Sequence, residues 1–87
     1  MEFEFDPAKS VANKDKHGID FEEAQALWAD EKRVMVPARD EQEPRFMVIG
    51  MIGQRCWSAV CVMRGDILRI ISVRRAREQE TETYGRG

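Results

Sequence analysis

Three apolar runs, Arg45–Ile52, Arg55–Met63 and Ile67–Val73, are separated only by Gly53-Gln54 and by Arg64-Gly65-Asp66. Gaps this short permit hairpins and leave no room for the crossover that parallel neighbours need. A shorter run at Val34–Pro37 ends in proline, as an edge strand or strand end does. Together they predict four consecutive strands in a mostly antiparallel sheet. The long runs are apolar at nearly every position, so both sheet faces are expected to be at least partly covered.

The N-terminal half supplies one cover. A short strand is predicted at Glu2–Phe5, and Asp6-Pro7 then opens a helix as N-cap and first helical residue. Lys14-Asp15-Lys16-His17-Gly18 closes that helix, with cations in the last turn and glycine for a left-handed cap. A second helix is expected from Asp20, where Asp20 and Glu23 form a capping-box pattern. Phe21, Ala24, Leu27 and Trp28 would line its buried face. Glu41–Pro44 reads as a loop, and a last helix is expected from about Arg74 to Tyr84. The expected order is βααββββα, with two N-terminal helices and one C-terminal helix. It is one α+β domain over residues 1–87.

Other classes are disfavoured early. No run approaches a membrane span, and Met1-Glu2-Phe3-Glu4-Phe5 lacks the basic and apolar regions of a signal peptide, so the cytoplasm is the expected location. Cys56 and Cys61 stand five apart on one expected strand, so they point to opposite faces and cannot bridge. There is no CxxC pair and no metal-ligand spacing, so neither a metal nor a cofactor is expected. Trp28 and Trp57 read as core.

Charge is uneven. Residues 1–43 carry six Lys/Arg against twelve Asp/Glu, and residues 44–87 carry eight against four. Within that second half, Arg64–Arg77 holds five arginines and one aspartate. Arg74, Arg75 and Arg77 would fall in the first turn of the last helix, where the dipole disfavours cations. Glu78 and Glu80 would be i,i+3 partners for Arg75 and Arg77, in the weaker orientation. Arginines at a helix start suit a phosphate. An acidic partner protein or a plain solvated face accounts for the same pattern. His17, the lone histidine, is either a proton-transfer group or an ordinary helix C-cap.

Several blocks carry a family resemblance. They are Phe3-Glu4-Phe5-Asp6-Pro7-Ala8-Lys9, Asn13, Lys16-His17-Gly18-Ile19-Asp20-Phe21-Glu22-Glu23-Ala24 and Glu43-x-Arg45-Phe46. Arg69-Ile70-Ile71-Ser72-Val73-Arg74-Arg75-Ala76, Glu80 and Tyr84 complete the set. In this order and spacing they resemble BrnT, the toxin of BrnT/BrnA type II toxin–antitoxin systems. The resemblance spans nearly the whole chain. Phe5 stands where the family often has Trp, Pro44 replaces one of two acids, and Cys61-Val62-Met63 lacks a Tyr and a Thr common before the arginine.

The resemblance implies a RelE-like fold and a metal-independent endoribonuclease that inhibits translation. It also implies a BrnA-like antitoxin whose ribbon-helix-helix region binds operator DNA, so that the toxin meets DNA only through its partner. Carried over by position, the site residues are Lys16, His17, Arg45, Arg64, Arg69, Arg74 and Tyr84. Chemistry suggests Arg64 and Arg69 for charge stabilisation, with Lys16, His17 or Tyr84 for proton transfer. Arg45, Arg74 and Arg75 would hold neighbouring phosphates of the RNA. The alternative is a non-catalytic module that docks a partner through the same face and acts as a corepressor.

Overall fold

A computed structural model describes residues 1–38 and 43–86. The element order is β1 (Glu2–Glu4), α1 (Pro7–His17), a 3₁₀ helix (Glu23–Ala29), β2 (Val34–Pro37), β3 (Phe46–Ile52), β4 (Arg55–Arg64), β5 (Ile67–Arg75) and α2 (Glu78–Arg86). The five strands form one sheet in the order β1-β5-β4-β3-β2. Three of its pairings are antiparallel, and β1 alone runs parallel to its neighbour β5. Part of the loop expected at Glu41–Pro44, and the terminal Gly87, lie outside the described residues.

The first helix begins and ends as its sequence predicts. The Asp6 carboxylate accepts from the Ala8 N–H at 2.9 Å, and Pro7 opens the helix. Gly18 takes φ 80° and its N–H donates to the Lys14 carbonyl at 2.9 Å. Any side chain there would be strained in this left-handed conformation.

The second N-terminal helix requires a correction: the segment is 3₁₀, leaving one α-helix in that half among the described residues. The expected reciprocal cap is present, with Glu23 N–H on Asp20 Oδ1 at 2.7 Å and Asp20 N–H on Glu23 Oε1 at 3.0 Å. The buried side chains, however, are Phe21, Ala24 and Leu27, at a strict spacing of three, whereas Trp28 is only half-buried. A 3₁₀ turn eclipses i and i+3, so it presents Ala24 and Leu27 to the sheet together, with Phe21 in the turn just before the helix. Trp28 is engaged from the side by Phe3, ring centroids 5.0 Å apart and nearly perpendicular.

These apolar residues meet one sheet face. Ile19, Phe21, Ala24 and Leu27 pack on Trp57, Ala59, Cys61, Leu68, Ile70 and Val73. Gly50 lets the 3₁₀ helix approach β3, since a Cβ there would stand 3.2 Å from Leu27 Cδ2 and from Asp30 Oδ2. Trp57 is core as expected, and Cys61 is buried on this face while Cys56 lies on the other.

Two polar side chains on α1 are buried and both are satisfied. Ser10 Oγ accepts from the Phe21 N–H at 2.9 Å. Asn13 donates to the carbonyls of Ile19 (2.8 Å) and Val73 (2.9 Å) and accepts from the Val73 N–H at 3.3 Å. It thereby substitutes for a strand along the part of β5 that β1 does not reach. Asn13→Ala removes all three bonds inside a buried site, so stability should fall by about 2–4 kcal/mol. Urea unfolding should show this as a lower midpoint at unchanged slope.

Candidate active site

An extra residue in β5 determines which arginines share a face. Ile70 pairs with Cys61 but Ser72 pairs with Val60, so Ile71 is bulged out of the ladder. Arg69 and Arg74, five apart, would point to opposite faces of a regular strand. With the bulge they stand opposite Val62 and Ser58, which share one face of β4. That face is the one away from α1 and the 3₁₀ helix.

Arg69, Arg64 and Arg45 gather around Val62. Arg69 faces Val62 across the ladder, Arg64 is two residues further along β4, and Arg45 immediately precedes Phe46, the partner of Cys61. Each guanidinium has a carboxylate beside it. Glu43 stands 4.0 Å from both Arg45 and Arg64, and Glu4, opposite Arg69 in the parallel β1 register, is 3.5 Å from it.

The last arginine of this face is held differently. Arg74 makes a two-pronged bond to Glu80, at 2.7 and 2.8 Å. Glu80 also accepts from Ser58 Oγ (2.9 Å) and from the Arg77 N–H (2.8 Å). The Arg74 bond, with help from these donors against the cost of burial, pulls the Glu80 carboxyl down to about 2. Glu80 thus serves Arg74 rather than Arg77, the partner that spacing suggested. Nor do Arg74 and Arg75 open the last helix: β5 continues through Arg75 because both pair with β4, and α2 starts at Glu78.

The remaining candidates separate. Arg75 pairs with Trp57 on the opposite face, its guanidinium 5.8 Å from the indole centroid. Tyr84 hydrogen-bonds Asp30 Oδ2 at 2.8 Å, beside the open edge of β3, and this bond raises its pKa. Asp30 is held low by the Met51 and Lys32 N–H groups and by Tyr84. Lys16 and His17 share a shallow cavity of about 280 Å³ with Lys9, Asn13, Ile71 and Ser72, along the rim where α1 meets the bulge. Cys61, its thiol pushed up to about 12 by burial, is chemically quiet. Among the described residues, no three His, Cys, Asp or Glu side chains group as a metal site.

Sequence reasoning missed Glu4, Glu43 and Lys9 as members of this neighbourhood. All three lie inside quoted blocks, but only the parallel β1–β5 pairing reveals that Glu4 faces Arg69.

Fold and face define a class, a small α+β domain with a cluster of guanidinium groups on one sheet face. The chain belongs to the BrnT family: the family model for the ribonuclease toxin, BrnT, of type II toxin–antitoxin systems matches residues 5–80. Comparison with curated proteins finds no match. Membership of a type II system implies an antitoxin partner. No helix among the described residues is long and apolar enough to cross a membrane.

The Glu80 shift has a definite sign. Its folded pKa lies below the usual 4.5, so its stabilisation is complete above that value and is lost as pH falls towards about 2. With the Glu80 side chain only 16% exposed, the effect should be on the order of 2–3 kcal/mol. Unfolding followed from pH 6 to pH 2 should show a steeper acid loss in wild type than in Glu80→Gln.

Proposed function

We propose that this chain is a RelE-like, metal-independent endoribonuclease that stops translation by cutting RNA. The family match over residues 5–80 carries this reading. The cluster of Arg45, Arg64 and Arg69 supports it, because it offers permanently charged donors where a phosphodiester needs them. The reaction is in-line attack of a ribose 2′-hydroxyl on the adjacent phosphate, giving a 2′,3′-cyclic phosphate and a 5′-hydroxyl. Arg64 and Arg69 stabilise the charge that builds on phosphorus, and Arg45 holds a neighbouring phosphate. Lys16 or His17, on the α1 rim, supplies a proton to the leaving oxygen.

Arg74 borders this site and holds Glu80 and α2 in place; its own reach to RNA is through a phosphate that competes with Glu80. Tyr84 and Arg75 have no step in this scheme. Control rests with a BrnA-like antitoxin carrying a ribbon-helix-helix region, through which the pair binds operator DNA, and both operate in the cytoplasm.

The test is incubation of the purified chain, free of antitoxin, with bulk RNA in EDTA beside Arg64→Ala/Arg69→Ala. Wild type should cut despite the chelator and leave 5′-hydroxyl ends. Each lost donor should cost about 10²–10³ in rate, so the double variant should leave RNA intact. Equal cutting by both proteins would remove the arginines from the mechanism, and intact RNA with wild type would count against the enzyme.

A further inference from the structure

We infer that Glu4 is the general base of the cleavage reaction, taking the 2′-hydroxyl proton while Arg69 holds the phosphate. The inference rests on the ribonuclease reading and adds a catalytic residue to it. Someone must accept that proton, and the arginines cannot, since they stay charged at any working pH. A lysine ammonium has no lone pair to offer. β1 places two carboxylates on the arginine face, Glu2 and Glu4, and of these Glu4 sits opposite Arg69 in the register and 3.5 Å from its guanidinium.

The character of the Glu4–Arg69 contact fits a working pair better than a structural one. Arg69 Nη1 stands 3.5 Å from Glu4 Oε1, outside the range of the Arg74–Glu80 bonds, and both side chains remain partly exposed, at 37% for Glu4 and 28% for Arg69. Such a pair contributes little to stability. Arg74–Glu80, on the same face, shows what a structural pair looks like here: two bonds of 2.7 and 2.8 Å, with further donors on the carboxylate. A phosphate arriving at Arg69 competes with Glu4 for the guanidinium and leaves a free carboxylate beside the bound group. Glu43, the other carboxylate near the cluster, is shared between Arg45 and Arg64 and lies outside the strands. Strand-borne groups are held more closely to one geometry.

The proton donors stand at the α1 rim of the same strand. Lys16 and His17 line the cavity at Ser72, which the bulge leaves two ladder positions beyond Arg69, or about 7 Å along the strand. In the proposed step the 2′-O–H bond breaks and its proton passes to a Glu4 carboxylate oxygen. The 2′-oxygen bonds to phosphorus, the bond from phosphorus to the 5′-oxygen breaks, and that oxygen takes a proton from His17 or Lys16. Water then reverses the protonation of the two side chains. The charged groups facing Glu4 are Arg69 on β5, Glu2 on its own strand and Arg64 in the adjoining row of β4.

The experiment compares wild type, Glu4→Gln and Glu4→Asp by single-turnover cleavage from pH 4 to pH 8. Affinity is measured on an oligonucleotide with a 2′-deoxy substitution at the cut site. Glu4→Gln should cleave about 10²–10⁴-fold more slowly at neutral pH while binding within threefold of wild type. Its rate should also lose the fall that wild type shows as carboxylates protonate at low pH. Glu4→Asp should be slower than wild type yet keep that fall. Cleavage by Glu4→Gln within a few-fold of wild type overturns the inference and leaves the ribonuclease reading standing. So does a loss matched by weaker binding with the low-pH fall retained. Intact RNA with wild type overturns both.

Discussion

The second edge of β5 is the constraint on which the site depends. One side of this strand is fully laddered to β4, but on the other β1 covers only Ile67–Arg69. Beyond that point the backbone needs other partners, and the Asn13 amide supplies them at Val73 with two hydrogen bonds. Between the two covers lies Ile71, the bulged residue. Removing the bulge would turn either Arg69 or Arg74 into the apolar core, where an unpaired guanidinium is prohibitively costly. The irregularity therefore solves a polarity problem, placing the apolar Leu68, Ile70 and Val73 on one face and both arginines on the other.

That face is cationic only in part, because it carries its own counterions. Glu4, Glu43 and Glu80 reduce the repulsion among four guanidiniums, three on β4 and β5 and one just before β3. The pairs differ in how readily they exchange. Arg74 and Glu80 are bound at two points and screened by α2, whereas Arg69 meets Glu4 at 3.5 Å and Arg64 meets Glu43 at 4.0 Å, both looser contacts. On the proposed ribonuclease reading, a phosphodiester would compete with those carboxylates for Arg64 and Arg69. An overall charge of −2 leaves little general attraction for polyanions, so on that reading recognition would depend on these local groups.

Much of this was legible in the chain itself, for physical reasons that differ from one element to the next. Gly53-Gln54 and Arg64-Gly65-Asp66 leave only hairpins, and Asp6-Pro7 and Gly18 bracket α1 through local chemistry. Asp20 and Glu23 revealed a reciprocal cap but not the helix type, because 3₁₀ and α starts use the same donors. The spacing of Phe21, Ala24 and Leu27 held the distinction, blurred by Trp28. Arg74 and Arg75 looked helical because the bulge breaks the alternation that would have assigned them to a strand. Glu4 was invisible as a neighbour of Arg69, since 65 positions separate them and only the parallel register joins them.

The attachment of α2 follows from the same economy of apolar surface. None of its residues is buried, so hydrophobic packing does not hold it to the sheet. Its anchors are Glu80, on Arg74 and Ser58, and Tyr84, on Asp30. Asp30 in turn closes the exposed N–H of Met51, where β2 no longer covers β3. Two carboxylates thus carry the docking of a whole helix. Both are held below the usual carboxylate range by donors that strand geometry fixes. One of the two anchors of α2, Arg74, also marks the boundary of the arginine face, so the same ion pair ties the helix position to the extent of that face.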